Sequence, residues 1–469
     1  MLNNSVKFTG FDISVIFPND KDLQNIDPDL DTIGVCTDSR IIEKGNIFVA
    51  IKGENFDGHD KVAESFEKGA AAALVSREWY DKNHHNFKSN SFIIADDTIS
   101  AMGKLAKYHR MRFDDIQILT VAGSNGKTST KEMIAKVLSQ KYNILCTHGN
   151  FNNQIGVPLM LFQLDDSYQV AVLEIGTNMP GEILTLTNMI KPTHGLVTNI
   201  GKEHLEQLID IDGVELEETS MFADLRTEGH CFINFDDERL KRYGHVLEKI
   251  TTYGTDKNAM VTADIEIDGQ MHPQIKINWT EEEREINVKL KTFGIFSAKN
   301  AIAAATVGFF FNLSDDEIKK GLESFESLRS EIGYGRMNFE THQNINFIND
   351  TYNSNPSSAE SALSILKSSE AKGRRIAILG DMLELGESTH QEHIELINKA
   401  LDSADEIFLF GGNLDQACKN HSDKSNLHCF TNKDALIERL EKSLKEGDLV
   451  LVKGSRGMRM EDVIIHYSK

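Results

Sequence analysis

Apolar residues fall in short blocks along this chain, and most blocks stop at glycine, asparagine or a charged residue. Residues 116–121 (IQILTV) give way to a polar loop, AGSNGKT, beyond which Met133, Ile134, Val137 and Leu138 recur at spacings of three and four. That change of period predicts a buried strand followed by a helix with one apolar face. Further apolar blocks predict strands at 170–175 and 195–200, with a helix near 181–189 between them. Strand and helix in alternation predict a parallel sheet covered by helices.

The flanking regions carry other patterns. The first hundred residues read as a small α/β unit, with a glycine-bounded strand at 45–53, a helix over 62–74 and a strand at 91–95. A helix from about residue 101 leads into the 116–121 strand. Residues 260–288 alternate as antiparallel strands do, and 300–311 read as a helix rich in small residues. From about residue 315 a third α/β unit begins. Its strands at 376–380, 407–411 and 449–454 each end in glycine, with helical stretches between them. This doubly wound pattern predicts ligand binding beyond the carboxyl ends of the strands.

With 469 residues the chain exceeds one ordinary core, in keeping with segments at 1–100, 101–314 and 315–469. A net charge of −22 offers no basic surface to a phosphate backbone and argues against nucleic acid. No run of eighteen apolar residues occurs, and MLNNSVKFTG lacks a signal peptide's apolar core, so a cytoplasmic protein without membrane insertion is expected. Cys36, Cys146, Cys231, Cys418 and Cys429 are odd in number, widely spaced and free of a C-x-x-C pair. Reduced, mostly structural thiols are expected.

The loop after the 116–121 strand holds the main candidate chemistry. Gly123, Ser124, Asn125, Gly126, Lys127, Thr128 and Ser129 form a shortened relative of the phosphate-binding pattern G-x-x-x-x-G-K-[ST]. Glycines let backbone N–H groups approach a phosphate, and the helix N-terminus adds positive charge. Lys127 would neutralise the outer phosphates, and Thr128 would offer its hydroxyl to Mg²⁺. The alternative is a tight turn with an incidental lysine; the order strand, loop, helix favours a nucleotide. Glu174 ends one apolar strand and His204 follows another. Parallel strands bring such ends to one edge, so Thr128, Glu174 and His204 are expected to share one Mg²⁺. A carboxylate ending an apolar strand is hard to explain as packing. A lone histidine is more often a surface or satisfied group.

These blocks resemble the Mur ligase family along nearly the whole chain: GSNGKTST at 123–130, NFNNQIGVP at 150–158, LEIGTNMPGEI at 173–183, NIGKEHLE at 199–206, NDTYNSNPSS at 349–358, AILGDMLELGE at 377–387 and VKGSRGMRM at 452–460. CTDSRIIEKGNIFVAIKGENFDGHD at 36–60 is similar to the uridine-nucleotide domain of the later-acting members. The resemblance implies a three-domain α/β architecture: a uridine-nucleotide substrate domain (1–100), a central phosphate-loop parallel-sheet domain that binds ATP (101–314) and a C-terminal Rossmann-like ligase domain (315–469). The C-terminal blocks resemble the branch that joins D-alanyl-D-alanine to UDP-N-acetylmuramoyl-tripeptide, the last cytoplasmic amino-acid addition to the peptidoglycan precursor. The branch adding lysine or diaminopimelate carries D-N-P-R, absent here, and folylpolyglutamate synthases lack the N-terminal unit.

That resemblance implies catalysis by a monomer with ATP and Mg²⁺ through an acyl phosphate, with Lys127, Glu174 and His204 at the chemistry. It assigns Asn300 to adenine, Arg336, Asp350 and Tyr352 to the nucleotide, Asn353 and Asn355 to substrate, and Asp38, Ser39 and Arg40 to the uridine nucleotide. Without it, residues 350–358 read as a polar turn capping a helix at Ser357, and TDSR as an ordinary turn. Lys453 and Arg456 stay open between ligand contact and a solvated basic loop. Three departures stand out. Gly294-Ile295-Phe296-Ser297 replaces a usual G-x-H-N, and Asn349-Asp350 replaces paired aspartates. Many members also carry A-K-A-K-G-E-I-F, whose second lysine is carbamylated; GVELEETSMF at 213–222 places Glu218 there. That carbamate helps hold a second Mg²⁺; a glutamate already carries the carboxylate, so Glu218 is expected to serve this second ion, against the alternative of a solvated acidic helix bearing Glu215, Glu217 and Glu218. Another phosphate-loop enzyme, such as a kinase, and a nucleotide-binding protein without catalysis are the competing functions.

Overall fold

The computed structural model describes residues 4–225, 229–269, 271–326, 333–421 and 423–468. It divides into two compact units: Met1–Thr120 with Tyr142–Gly176 and Glu182–His194, and Val121–Lys141 with Thr177–Gly181 and Gly195–Lys469.

In the first unit, five strands lie in the order Leu23–Gln24, Phe92–Ala95, Ala72–Ser76, Ile47–Val49 and Val35–Cys36. All neighbours are parallel except the first pair. Phe48, Val62, Ala73, Val75, Phe92 and Ile94 form its core. The helix expected over 62–74 is shorter, Val62–Glu67, and Ala72–Ser76 is a buried strand. Gly69, at φ +97°, turns the chain out of the helix, and the compact apolar run AALV then packs as a strand. Helix Thr98–Arg110 starts at Asp97, whose carboxylate accepts from the N–H groups of Ile99 and Ser100. Strand Val170–Glu174, buried throughout, pairs in parallel with Ile144–Cys146.

The second unit contains helix Lys127–Leu138, packed against Gly294–Phe310. The latter begins six residues before the expected 300. Its small residues permit a close approach: a Cβ on Gly308 would stand 2.8 Å from Val137 Cγ1. Strands Val261–Ile267, Pro273–Trp279 and Arg284–Lys289 are antiparallel, as their alternation predicted. Beyond them lies a six-stranded sheet ordered Asn338–His342, Ile345–Asp350, Leu449–Lys453, Arg375–Gly380, Glu406–Phe410 and Leu427–Phe430. Only its first pair is antiparallel. Asp350 and Lys453 are therefore neighbours at one carboxyl edge.

One expectation about the cysteines is corrected. Cys418 and Cys429 form a disulfide; Cys36, Cys146 and Cys231 are free. Helix Gly412–Cys418 and strand Leu427–Phe430 pack together and bring the two sulfurs into range, which an eleven-residue separation does not announce. Among the described residues no helix is long and apolar enough to cross a membrane.

Candidate functional site

The first unit supplies four of the expected residues, Asp38, Ser39, Arg40 and Glu174. Asp38 starts the short turn Ser39–Ile41, its Oδ1 accepting from the Arg40 N–H at 2.9 Å. The Arg40 guanidinium lies 2.6 Å from the same carboxylate, and that hydrogen bond holds Asp38 down to about 2. Ser39 is buried, and its carbonyl accepts from Lys68 Nζ at 2.7 Å. Glu174 is buried at the end of its strand; Oε1 accepts from Asn152 Nδ2 at 2.8 Å. Its Oε2 is buried without a hydrogen-bond partner among the described residues.

In the second unit the phosphate loop is pinned from below. Ser124 Oγ donates to Gly201 O at 3.1 Å and accepts from Gly201 N at 2.8 Å. Asn125 N donates to Asn199 Oδ1 at 3.1 Å, and Thr198 Oγ1 donates to Asn125 O at 2.7 Å. Gly123 and Gly126 have φ of +113° and +81°, backbone that glycine adopts without strain. Lys127 and Thr128 open the helix, with Ser129 in its first turn and Thr128 buried. Lys127 Nζ folds back onto the carbonyls of Gly123 and Ser124.

Around Lys127 stand two carboxylates. Nζ is 3.7 Å from Glu203 Oε2 and 4.0 Å from Glu218 Oε1. Glu218 is wholly buried, and its Oε2 accepts from the Gly123 N–H at 2.7 Å. The Oε1 atoms of Glu203 and Glu218 have no hydrogen-bond partner among the described residues. Burial pushes Glu218 well above the usual carboxylate range against the pull of Lys127, and Glu203 adds to the rise. Two buried carboxylates against one ammonium leave negative charge uncompensated. Such a pair suits a further cation. No group of three or more His, Cys, Asp or Glu is arranged around a metal position among the described residues, so a metal here needs oxygens from elsewhere, as Mg²⁺ bound to phosphates has.

The solvated acidic helix is corrected in the same place. Glu217 is buried and accepts from Gly181 N at 2.7 Å, while Glu215 pairs with Arg239 and Arg242 at 2.6 and 2.7 Å. His204, at φ +48°, sets Nδ1 2.6 Å from Glu384 Oε2 and Nε2 3.9 Å from Glu203 Oε2. The hydrogen bond from His204 holds Glu384 below its ordinary value. Asn300 stands beside the loop: a Cβ on Gly126 would meet its Oδ1 at 3.0 Å.

At the carboxyl edge of the six-stranded sheet, Lys453 Nζ donates to Asp350 Oδ2 at 2.6 Å and to Asn353 O at 2.8 Å. Lys453 is buried, so the solvated-loop reading fails for it; Arg456 is exposed. Arg336 lies over the Tyr352 ring, its Cζ 3.6 Å from the centroid. The helix cap expected at Ser357 is Asn355, which accepts from Ser358 N; proline at the next position favours that start. Asn355 Nδ2 also donates to Asn125 Oδ1 at 3.1 Å, and Asn125 Nδ2 donates to Ser357 Oγ at 2.5 Å.

Three Mur ligase families match in sequence. The family described as "Mur ligase family, catalytic domain" covers 32–110, "Mur ligase middle domain" covers 121–308 and "Mur ligase, glutamate ligase domain" covers 335–456. The UDP-N-acetylmuramoyl-tripeptide--D-alanyl-D-alanine ligase of Bacillus subtilis is 32% identical over 92% of both chains. This chain belongs to the Mur ligase family. A crystal structure of MurF from Acinetobacter baumannii superposes with a TM-score of 0.87 at 27% identity, covering 99% of each chain. The MurF ligase of Thermotoga maritima, solved in complex with ADP, shares the fold with a TM-score of 0.80 at 23% identity, covering 92% of this chain and 96% of that one.

In this Mur ligase the departures at 294–297 and 349 have local explanations. Asn349 is buried and donates Nδ2 to Gly333 O and to Glu340 Oε1, at 3.0 and 2.6 Å. An ionised aspartate could make neither bond. Ser297 hydrogen-bonds Thr292, and Phe296 is exposed. Glu203, Asn152 and Glu384 were not singled out from the sequence. Each lies inside a block that resembled the family, but only burial and side-chain contact single it out.

Proposed function

We propose that this Mur ligase joins D-alanyl-D-alanine to UDP-N-acetylmuramoyl-tripeptide with cleavage of ATP. The observation that carries the reading is the buried Glu203–Glu218 pair against Lys127 at a phosphate loop, in a chain related over 92% of its length to a ligase so named. A terminal carboxylate oxygen of the tripeptide attacks the γ-phosphorus, the bond to ADP breaks, and an acyl phosphate forms. The dipeptide amine attacks the acyl carbon, inorganic phosphate departs, and the amine loses a proton to solvent.

Lys127 would leave its loop carbonyls to meet the γ-phosphate and offset the charge that gathers there. Backbone N–H groups from Gly126 to Ser129 would cradle the phosphates, those of Gly123, Ser124 and Asn125 being engaged by Glu218 and Asn199. Thr128, Glu174 and His204 are assigned to one Mg²⁺ and Glu218, beside Glu203, to a second, each ion completing its shell with phosphate oxygens and water; the partnerless oxygens of Glu174, Glu203 and Glu218 support roles toward a cation. When bound, the ion supplies positive charge to phosphate oxygens. Glu384 fixes the His204 ring. Asn300, Arg336, Asp350 and Tyr352 are assigned to the nucleotide, Asn353 and Asn355 to substrate, and Asp38, Ser39 and Arg40 to the uridine nucleotide. The segments 1–100, 101–314 and 315–469 would act as substrate, ATP and ligase domains of a cytoplasmic monomer.

Phosphate release from ATP and Mg²⁺ in the presence of the UDP-tripeptide tests the reading. Release that depends on D-alanyl-D-alanine is expected. Equal release without the dipeptide, or none with it, overturns the reading.

A further inference from the structure

At the amino end of the six-stranded sheet, away from Asp350 and Lys453, lies a cleft of about 460 Å³, within the size range of small-molecule sites. Asn346, near the start of strand Ile345–Asp350, borders it. About 13 Å of extended strand separates that residue from Asp350. One wall is the turn between strands Val261–Ile267 and Pro273–Trp279, and another is strand Asn338–His342. The rings of His272, Phe293 and Phe339 stack in succession, with centroids 4.6 and 4.1 Å apart, so the turn is fixed against the sheet. Phe339, Met271 and wholly buried Phe347 give the cleft its apolar surface.

The charged groups facing this surface are carboxylates. Glu340 Oε2 meets His342 Nε2 at 3.1 Å. Glu370 is exposed beyond helix Pro356–Ser368 and turns toward the opposite wall: a Cβ on Gly269 would stand 3.8 Å from its Oε1. Among the described residues no lysine or arginine pairs with either acid. Lys289 and Arg375, on flanking elements, are engaged with Asp268 at 3.1 Å and with the Ser369 carbonyl at 3.1 and 3.3 Å. Carboxylates beside aromatic rings favour a positive charge carried on an apolar body.

A second contact of Glu340 leads out of the cleft. Its Oε1 accepts from Asn349 Nδ2 at 2.6 Å. Asn349 Nδ2 also donates to Gly333 O at 3.0 Å, and its Oδ1 accepts from Thr351 Oγ1 at 2.8 Å. Three residues after Gly333 stands Arg336, stacked on Tyr352. A cation at Oε2 would hold the Glu340 carboxylate in place, and with it Asn349 and the segment that carries Arg336. A segment already ordered loses less entropy when a ligand binds to it. We propose that this cleft is an effector site for a small organic ammonium ion with an apolar body, and that its occupancy strengthens nucleotide binding through Glu340 and Asn349. The link to the nucleotide rests on the ligase reading above.

The probe is phenethylammonium, with neutral phenylethanol and anionic phenylpropionate as controls. Each is titrated into the full chain and its Glu340→Gln and Glu370→Gln variants by ligand-observed NMR, with circular dichroism to verify folding. Saturable binding of the ammonium ion is expected, with a Kd on the order of 1 mM. It should be about tenfold or more tighter than either control. Glu340→Gln should weaken it about tenfold and Glu370→Gln about threefold. ADP with Mg²⁺, titrated by calorimetry at saturating ammonium ion, should bind about fivefold tighter, ADP should tighten the ammonium ion by the same factor, and Glu340→Gln should abolish both effects. No saturable binding, equal binding of all three probes, or binding untouched by both variants overturns the site. An ADP affinity that the ammonium ion leaves unchanged, or a coupling that survives in Glu340→Gln, overturns the effector role. Competition between the ammonium ion and ADP places the probe in the nucleotide site and also overturns the proposal. ADP that binds neither with nor without the ammonium ion strikes the ligase reading itself, and the effector role with it.

Discussion

Glu218 is a carboxylate in a place water does not reach. One oxygen takes the Gly123 N–H and the other faces Lys127 at 4.0 Å, so the side chain ties the helix that bears it to the phosphate loop. Its carboxylate is intrinsic, and activity should not need a carbon dioxide adduct. We predict that Glu218→Ala lowers turnover by about a hundredfold or more, the scale of losing one preorganised electrostatic group. Depleting bicarbonate and carbon dioxide should leave the wild type unchanged. Phosphate release against Mg²⁺ concentration checks both; full activity of Glu218→Ala with an unaltered Mg²⁺ curve would remove the role. Aligning GVELEETSMF brought Glu218 into view, whereas Glu203 stayed hidden between Lys202 and His204. A glutamate's importance here comes from its burial beside another, and the sequence does not record burial of isolated polar residues.

The element that organises the site is strand Gln117–Ala122, its loop and helix Lys127–Leu138. Its glycines differ in what they tolerate. A Cβ on Gly123 would strike Thr198 Oγ1 and stand 2.7 Å from Thr198 N, a backbone atom that cannot swing away; at Gly126 it would meet only the Asn300 side chain, at 3.0 Å. Gly123→Ala should therefore weaken nucleotide binding more than Gly126→Ala, by about tenfold or more, and cost about 1–3 kcal/mol of stability. Calorimetric titration with ADP and Mg²⁺, with thermal unfolding of each variant, reads both effects, and equal tolerance at the two positions would contradict the account. This element was legible because a short apolar run passes to a period of 3.6 across a glycine loop. The 62–74 helix was misread because an alanine-rich run satisfies either period, and the choice fell to the sheet that accepts Ala72–Ser76.

At the scale of the whole molecule, His109 makes a contribution to stability that should fall in mild acid. Burial pushes His109 down to about 4, opposed by its bond to the Leu164 carbonyl, and its Nδ1 is buried without a partner among the described residues. The unfolded chain takes up a proton near pH 6.5 that the folded chain refuses. The contribution is complete above that pH and is lost as pH falls from about 6.5 toward 4, by up to about 3 kcal/mol. Buried Glu218 acts with the opposite sign, so the informative quantity is the difference between wild type and His109→Gln in denaturant unfolding at pH 7 and pH 5. The variant should lose less stability on acidification; equal losses would mean that His109 is protonated in the fold. The chain by itself determined the strand–loop–helix succession, the antiparallel strands and the family, because periodicity and contiguous blocks are local properties. Tertiary structure decided which charges are buried together, the Cys418–Cys429 bond, the commitment of Lys453 to Asp350 and the stacking of Arg336 on Tyr352. Those depend on residues from eleven to more than a hundred positions apart, and only the folded chain sets the distance and the dielectric between them.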